Sequence, residues 1–339
     1  MFYLSIAVTT LALSYIINRI CAAVAGRLKI FDLPDNKLKT HAIPTPRIGG
    51  VGIFLSIAVV LVATRFFTDY PTGTIRNFRY ILSGASIIFL MGLIDDLKPG
   101  GLTYREKFAI QFIAAAILLL APVRMQFIHP HYLAAALSII WVIGITNSIN
   151  LIDIADGLAG TQTALASAAF LAIAFPSEDI YVNILAAAVL GATIGFLPLN
   201  FSKQHKLFMG DSGSTSLGYL LAVLAMGCSY SAQNPLAVYA PLMILGMPVI
   251  ETFFLIYIRL RKGLNPFYGS RDHLVHRLQE LHLTQHNILT LLALSTLLLC
   301  LLAFLISRLS NILVIIAIYT VLTIAAIIIH NKLPVNKLR

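Results

Sequence analysis

Apolar residues run in long blocks along this chain, and polar residues collect in the gaps between them. Eleven blocks stand out, at 2–22, 48–66, 80–94, 106–122, 132–146, 157–175, 180–199, 214–229, 236–258, 288–306 and 311–330. Most approach the ~20 residues that a helix needs to cross a hydrocarbon core. They are uniformly apolar, without the alternation of a barrel strand, so each is predicted to be a helix that satisfies its own backbone hydrogen bonds. The expected fold is all-α: a polytopic integral membrane protein of about 11 transmembrane helices, forming a single membrane-embedded domain over 1–339. The first block has little charge before it and no small-residue cleavage site, so it reads as a retained span.

Composition agrees. The chain is 58% hydrophobic and 11% charged, with a mean hydropathy of +0.87, far from an ordinary soluble domain. Charge then sets the orientation. With the N-terminus outside, the inward segments carry 19 of the 24 Lys and Arg residues, and only Arg65, Arg76, Arg79, Arg124 and Arg308 remain outside. This positive-inside bias predicts an odd number of spans and a cytoplasmic C-terminus. The formal net charge of +10 thus describes a basic inner face suited to anionic lipid or substrate. The basic residues lie in short loops between spans, which argues against nucleic acid. Cys21, Cys228 and Cys300 sit in separate apolar blocks and indicate neither disulfide nor metal.

Most polar chemistry falls in the inward loops, at about 23–47, 95–105, 147–156, 200–213 and 259–287. In LMGLIDDLKPGG, Asp95 and Asp96 close an apolar block and are followed by Lys98, Arg105 and Lys107. Adjacent carboxylates suit a hard cation or a proton acceptor, and lysines suit phosphate oxygens. In NSINLIDIADG, Asn147, Asn150, Asp153 and Asp156 recur every three residues, a spacing that drifts round an ideal helix. They converge only if the backbone tightens or unwinds there. KLFMGDSGST places Asp211 in a Gly-bounded turn before an apolar helix, where phosphate or Mg²⁺ can be held, or where the Asp or Ser simply caps the helix. PFYGSRDHLVHRL sets His273 and His276 on one expected helix face beside Arg277, with Leu274, Leu278 and Leu281 as an apolar stripe along the membrane surface. DNKLKTHAIPTPRIGG adds Lys39, His41 and Arg47 to an extended, Pro-bearing loop. Glu251 is an intramembrane carboxylate with no partner legible in the sequence, and Pro248 before it is expected to kink its span.

With these residues in view, the chain resembles the polyprenyl-phosphate N-acetylhexosamine-1-phosphate transferases (glycosyltransferase family 4), on the bacterial undecaprenyl-phosphate N-acetylglucosamine-1-phosphate transferase side. The resemblance covers about 30–290 and rests on PTPRIGG, LIDDLK followed by Lys107 and Gln111, NSINLIDIADGLAG, FMGDSGS and DHLVHRL, in family order. It implies that undecaprenyl phosphate attacks the β-phosphorus of a UDP-N-acetylhexosamine, most simply the N-acetylglucosamine sugar, and releases UMP, with Mg²⁺ (or Mn²⁺ in its place). By resemblance Asp211 and Asn150 are metal ligands, Asp95 is a proposed base, and Asp96 and Asp153 are catalytic candidates. Lys107 meets the diphosphate, Asp156 and Phe208 meet uracil, and Arg271, His273, His276 and Arg277 meet phosphate or sugar. Ile154 stands where the family's Asp-Gly-x-Asp-Gly has its first glycine. The loop histidines lack the three-His run of the muramyl-pentapeptide branch; that phospho-muramyl-pentapeptide transfer is the alternative within the family. A secondary transporter is the rival class, but its sites lie at the bilayer midplane within paired repeats, and no repeat is visible. A homodimer would leave no signature separable from lipid-facing surface.

Overall fold

The structure, a computed structural model, describes all residues except 29, 33–43, 72, 122, 176–179, 228–233, 268–270, 310 and 335–339. Lys39 and His41 lie outside the described residues. Each of the eleven apolar blocks falls on helix. In chain order these are α1 (Phe2–Leu28), α2 (Gly49–Ala63), α3 (Thr74–Leu97), α4 (Tyr104–Leu118), α5 (His131–Ile152), α6 (Leu158–Ala174), α7 (Ile180–Phe201) and α8 (Gly210–Gly227). There follow α9 (Ala240–Ile244), α10 (Gly246–Arg261), the short α11 (Leu274–Gln279), α12 (Gln285–Ile306) and α13 (Ile312–Lys332). Among the described residues, seven helices are long and apolar enough to cross a membrane alone, and an eighth span results if the bent pair Leu236–Ile244 and Gly246–Arg261 counts as one. α6 is a shorter apolar helix of 17 residues, and α4, of 15, opens on Arg105, Glu106 and Lys107 before its apolar stretch.

The bend in that pair is 66° and falls at Leu245, one turn before Pro248 rather than at it. The cause is local: proline has no N–H to give the carbonyl four residues back, here Ile244, so continuity fails there. At the centre of the bundle α8 is buried along all 18 residues, against α2, α3, α5, α6 and α7. Its small residues make this possible. Ser214, Thr215 and Ser216 return their hydroxyls to the carbonyls of Gly210, Asp211 and Ser212, so these three enter the core with their donors satisfied. α1 packs on α7 in the same way, with Ser14 donating to the Ala192 carbonyl at 2.7 Å.

One end of the bundle holds the motifs. The C-terminal ends of α3, α5 and α7 meet the N-terminal ends of α2, α4, α6 and α8 there. The loop segment 46–50 is laced to 208–209: Phe208 N–H donates to Pro46 O at 2.8 Å, and Gly49 and Gly50 N–H donate to Phe208 O and Met209 O at 2.9 and 2.8 Å. Two of the five motifs are thereby one structural unit.

Candidate active site

Three carboxylates meet at this end. Asp95, Asp96 and Asp211 each offer an oxygen within 4.8 Å of the others. Asp95 is buried; the Pro-Gly-Gly turn folds back over it so that Leu102 N–H donates to its Oδ1 at 2.6 Å. Gly101, at φ +67°, makes this wrap possible, because a Cβ there would stand 2.8 Å from the carboxylate. Asp96 points to the start of α8, accepting from the N–H groups of Asp211 and Ser212 at 2.8 and 2.9 Å. It is therefore a helix cap delivered from another helix, satisfying amide donors that α8 itself leaves free.

Two cations bind the trio. Lys107 Nζ lies 2.6 Å from Asp211 and 2.9 Å from Asp95. It is aimed by a capping box at the start of α4, where Thr103 and Glu106 exchange side-chain to backbone bonds. Arg47 spans the other side, with Nη2 2.6 Å from Asp211 and Nε 3.1 Å from Asp96. Burial opposes the Arg47 charge, but Asp211 and Asp96 outweigh it and raise its pKa. Arg47 was legible only as loop charge. Its position before Gly49-Gly50, in a loop that pairs with the Asp211 motif, is the signal that marks it afterwards.

The three-residue series from Asn147 does not converge on one point. The helix stays regular through Ile152, so Asn147 and Asn150 lie on α5, while Asp153 and Asp156 lie on the turn beyond it. Asn147 exchanges with Gln111 of α4, its Nδ2 2.7 Å from Gln111 Oε1. Asn150 donates its amide N–H to Ser214 of α8 at 2.9 Å, one turn from Asp211, so its amide oxygen is the atom that could ligate a cation. Asp156 pairs with Lys206 at 2.6 Å, and Lys206 lies over the Phe208 ring at 5.4 Å from its centroid. Asp153 caps the end of α5 with negative φ and Ile154 also avoids positive φ, so the turn has no need of the family's glycine.

Burial raises the Asp153 carboxyl to about 7; Arg47 opposes the shift, while Asp211 and Asp96 add to it. Such a group keeps in the native state a proton that the unfolded chain loses near pH 4. Stability should therefore fall as pH rises from about 4 to about 7. In detergent and chelator, Asp153→Asn is expected to raise the unfolding temperature more at pH 8 than at pH 5. An equal gain at both pH values would contradict the assignment.

The histidine segment is built differently from its expectation. Helix α11 has six residues; Leu274 and Leu278 are buried and Leu281 is exposed, so it packs inward and is no surface helix. His273 is its extended N-cap, not a residue of the helical face, with its ring centroid 6.3 Å from that of His276. Burial holds His276 below the ordinary imidazole pKa. Arg271 is exposed. Arg277 is buried and donates to the carbonyls of His330, Leu333 and Pro334 at the end of α13, so its guanidinium is committed to the chain itself. This corrects the reading of Arg277 as a substrate contact.

A profile of glycosyl transferase family 4 matches residues 78–229, the stretch that carries Asp95, Asp96, Lys107, Asn150, Asp153, Asp156 and Asp211. A probable undecaprenyl-phosphate N-acetylglucosaminyl 1-phosphate transferase of Bacillus subtilis is 31% identical over 278 residues, 79% of this chain and 75% of the relative. The chain belongs to glycosyl transferase family 4. Other family relatives include a decaprenyl-phosphate N-acetylglucosaminephosphotransferase of Mycobacterium leprae, 28% identical over 85% of this chain and 80% of its own. An undecaprenyl-phosphate alpha-N-acetylglucosaminyl 1-phosphate transferase of Escherichia coli K12 is 23% identical over 81% of this chain and 76% of its own.

The residues present fit the divalent cation that the family implies. The three carboxylates Asp95, Asp96 and Asp211 outnumber the cations Arg47 and Lys107 bound to them, so a further cation would help the site to accept phosphate. Oxygen donors of this kind suit Mg²⁺, and Mn²⁺ by the same chemistry.

Proposed function

We propose that the chain transfers N-acetylglucosamine 1-phosphate from UDP-N-acetylglucosamine to undecaprenyl phosphate, releasing UMP. The observation that carries this reading is the carboxylate trio bound on two sides by Lys107 and Arg47, in a chain whose relatives are named for that transfer. Its expected setting is the bacterial inner membrane with the motif end facing the cytoplasm, which is where the positive-inside bias puts Arg47, Lys107 and Lys206. Eleven spans remain our topology, with α4, α6 and α8 crossing as short helices inside the bundle. The product would be the first lipid-linked intermediate of a surface glycopolymer such as lipopolysaccharide or teichoic acid.

The reaction forms one bond, between a lipid phosphate oxygen and the β-phosphorus, and breaks one, between the β-phosphorus and the oxygen that leaves on UMP. Positioning and charge neutralisation are most of what it needs. Asp211, Asn150 and Asp95 would hold Mg²⁺, which supplies charge to the diphosphate oxygens when bound. Lys107 then donates to the diphosphate in place of its present contact with Asp211. Asp156, Lys206 and Phe208 form a polar and aromatic face suited to uracil. His273 and His276 face the donor's phosphate or sugar. A phosphate nucleophile has a second pKa of about 6 and arrives largely ionised, so proton removal by Asp95 or Asp153 contributes less than orientation. Asp96 acts through the cap it provides to α8. Purified protein given Mg²⁺, undecaprenyl phosphate and a panel of UDP-sugars should release UMP with the N-acetylglucosamine donor. Release with the N-acetylmuramyl-pentapeptide donor alone would move the assignment to the other branch.

A further inference from the structure

Glu251 has no part in the phosphate chemistry above, yet it is one of the best-connected carboxylates in the fold. It lies in α10, 7% exposed. Its Oε1 accepts from Leu274 N–H at 2.7 Å, at the first residue of α11. Nδ1 of His273 stands 3.6 Å from the same oxygen, and Nε2 of His330, near the end of α13, stands 3.9 Å from Oε2. Both ring nitrogens are buried and have no hydrogen-bond partner other than this carboxylate's approach. His330 is held in place from its other sides. Its Nδ1 lies 3.0 Å from Ala326 O in its own helix, and its ring stacks on Phe254 with centroids 3.7 Å apart.

The same helix fastens the segment at two further points. Arg259 donates to Pro266 O at 2.6 Å, and Lys262 pairs with Asp272 at 2.6 Å. Glu251 and Arg259, eight residues apart in α10, and Lys262 at its C-terminal cap thus hold Leu274, Pro266 and Asp272 from one element. From the far side Arg277 donates to the carbonyls of Leu333 and Pro334, just past the end of α13. A buried carboxylate at this depth is costly where an apolar residue of the same size would pack at less expense. Its worth lies in orientation: it sets both the backbone at Leu274 and the ring at His273.

We propose that Glu251 is a positioning residue of the transfer reaction, holding the His273–His276 segment in register with the donor while His330 ties that register to the end of α13. This rests on the reading that the segment meets the donor's phosphate or sugar. Glu251→Gln keeps an acceptor for Leu274 N–H and the volume, and removes the charge that draws the two imidazoles. It is expected to raise the KM for UDP-N-acetylglucosamine about tenfold and leave the KM for undecaprenyl phosphate unchanged, a split that a mere loss of folded enzyme does not produce. Glu251→Asp should recover much of the loss. Combined with His273→Ala, Glu251→Gln should add little to the donor KM of His273→Ala alone, because both act through one segment.

His276→Ala separates the two layers of the argument. If it leaves the donor KM at the parent value, the segment does not meet the donor and the reading beneath the proposal fails. If it raises the donor KM while Glu251→Gln does not, or if Glu251→Gln and His273→Ala multiply, the positioning role alone is overturned.

Discussion

Asp211→Asn is expected to abolish transfer and leave a folded protein. The side chain receives Lys107 and Arg47 at 2.6 Å each, and it is the carboxylate that both cations share. Replacing it with a neutral amide removes the charge that gathers these cations and one oxygen ligand of the expected cation site. Losing a group of this kind typically lowers kcat by about 10²–10³-fold, and sharing between two cations should place this variant at or beyond that range. Folding should survive, because Asp96 caps α8 through backbone N–H groups that the substitution leaves in place. UMP release, read beside gel filtration in detergent, checks both halves. Near-parental turnover would remove Asp211 from the centre.

Gly50→Ala should be nearly as damaging, for a reason of packing. A Cβ at Gly50 would stand 2.2 Å from the Gly213 nitrogen and 2.6 Å from the Ser212 carbonyl carbon. These are backbone atoms of the first turn of α8, which is buried on every side. They cannot swing away as a side chain would, so α2 and α8 must separate. Overpacking of this sort costs about 1–3 kcal/mol, and the shift would carry Asp211 away from Lys107. Gly144→Ala is the control, since a Cβ there meets nothing within 4 Å. The expected result is a lower unfolding temperature with strongly reduced UMP release for Gly50→Ala, and parental behaviour for Gly144→Ala.

What could be read in advance follows from the range of the interactions. Apolar blocks are local patterns, and they fell on helix, the block 236–258 as a bent pair. Asp95, Asp96, Lys107, Asn150 and Asp211 were visible because polar residues at the ends of membrane helices need a reason. Which carboxylate meets which cation was not visible. Arg47 reaches Asp211 across 164 positions of chain, and Lys107 across 104. That pairing is set by how α2 and α3 pack on α8 and α4 packs on α3, and no short window of residues records it. Asp96 looked equivalent to Asp95, but consecutive helix positions point about 100° apart, so within the one cluster Asp95 takes Lys107 and the Leu102 amide while Asp96 takes Arg47 and the amide end of α8. Arg277 looked like a phosphate donor because a surface helix was expected; the short inward α11 instead turns it toward α13. Glu251 could not be given a partner, since His273 and His330 lie 22 and 79 positions on and meet it only in the packed fold.

The most direct measurement follows the phosphorus. UDP-N-acetylglucosamine labelled in its β-phosphate is incubated with purified protein, Mg²⁺ and undecaprenyl phosphate, and the lipid extract is counted. Transfer of sugar phosphate places the label in the lipid and releases unlabelled UMP in equal amount, and Asp211→Asn should do neither. Label left in released UDP, or intact donor carried into sealed vesicles with no labelled lipid, would contradict the account.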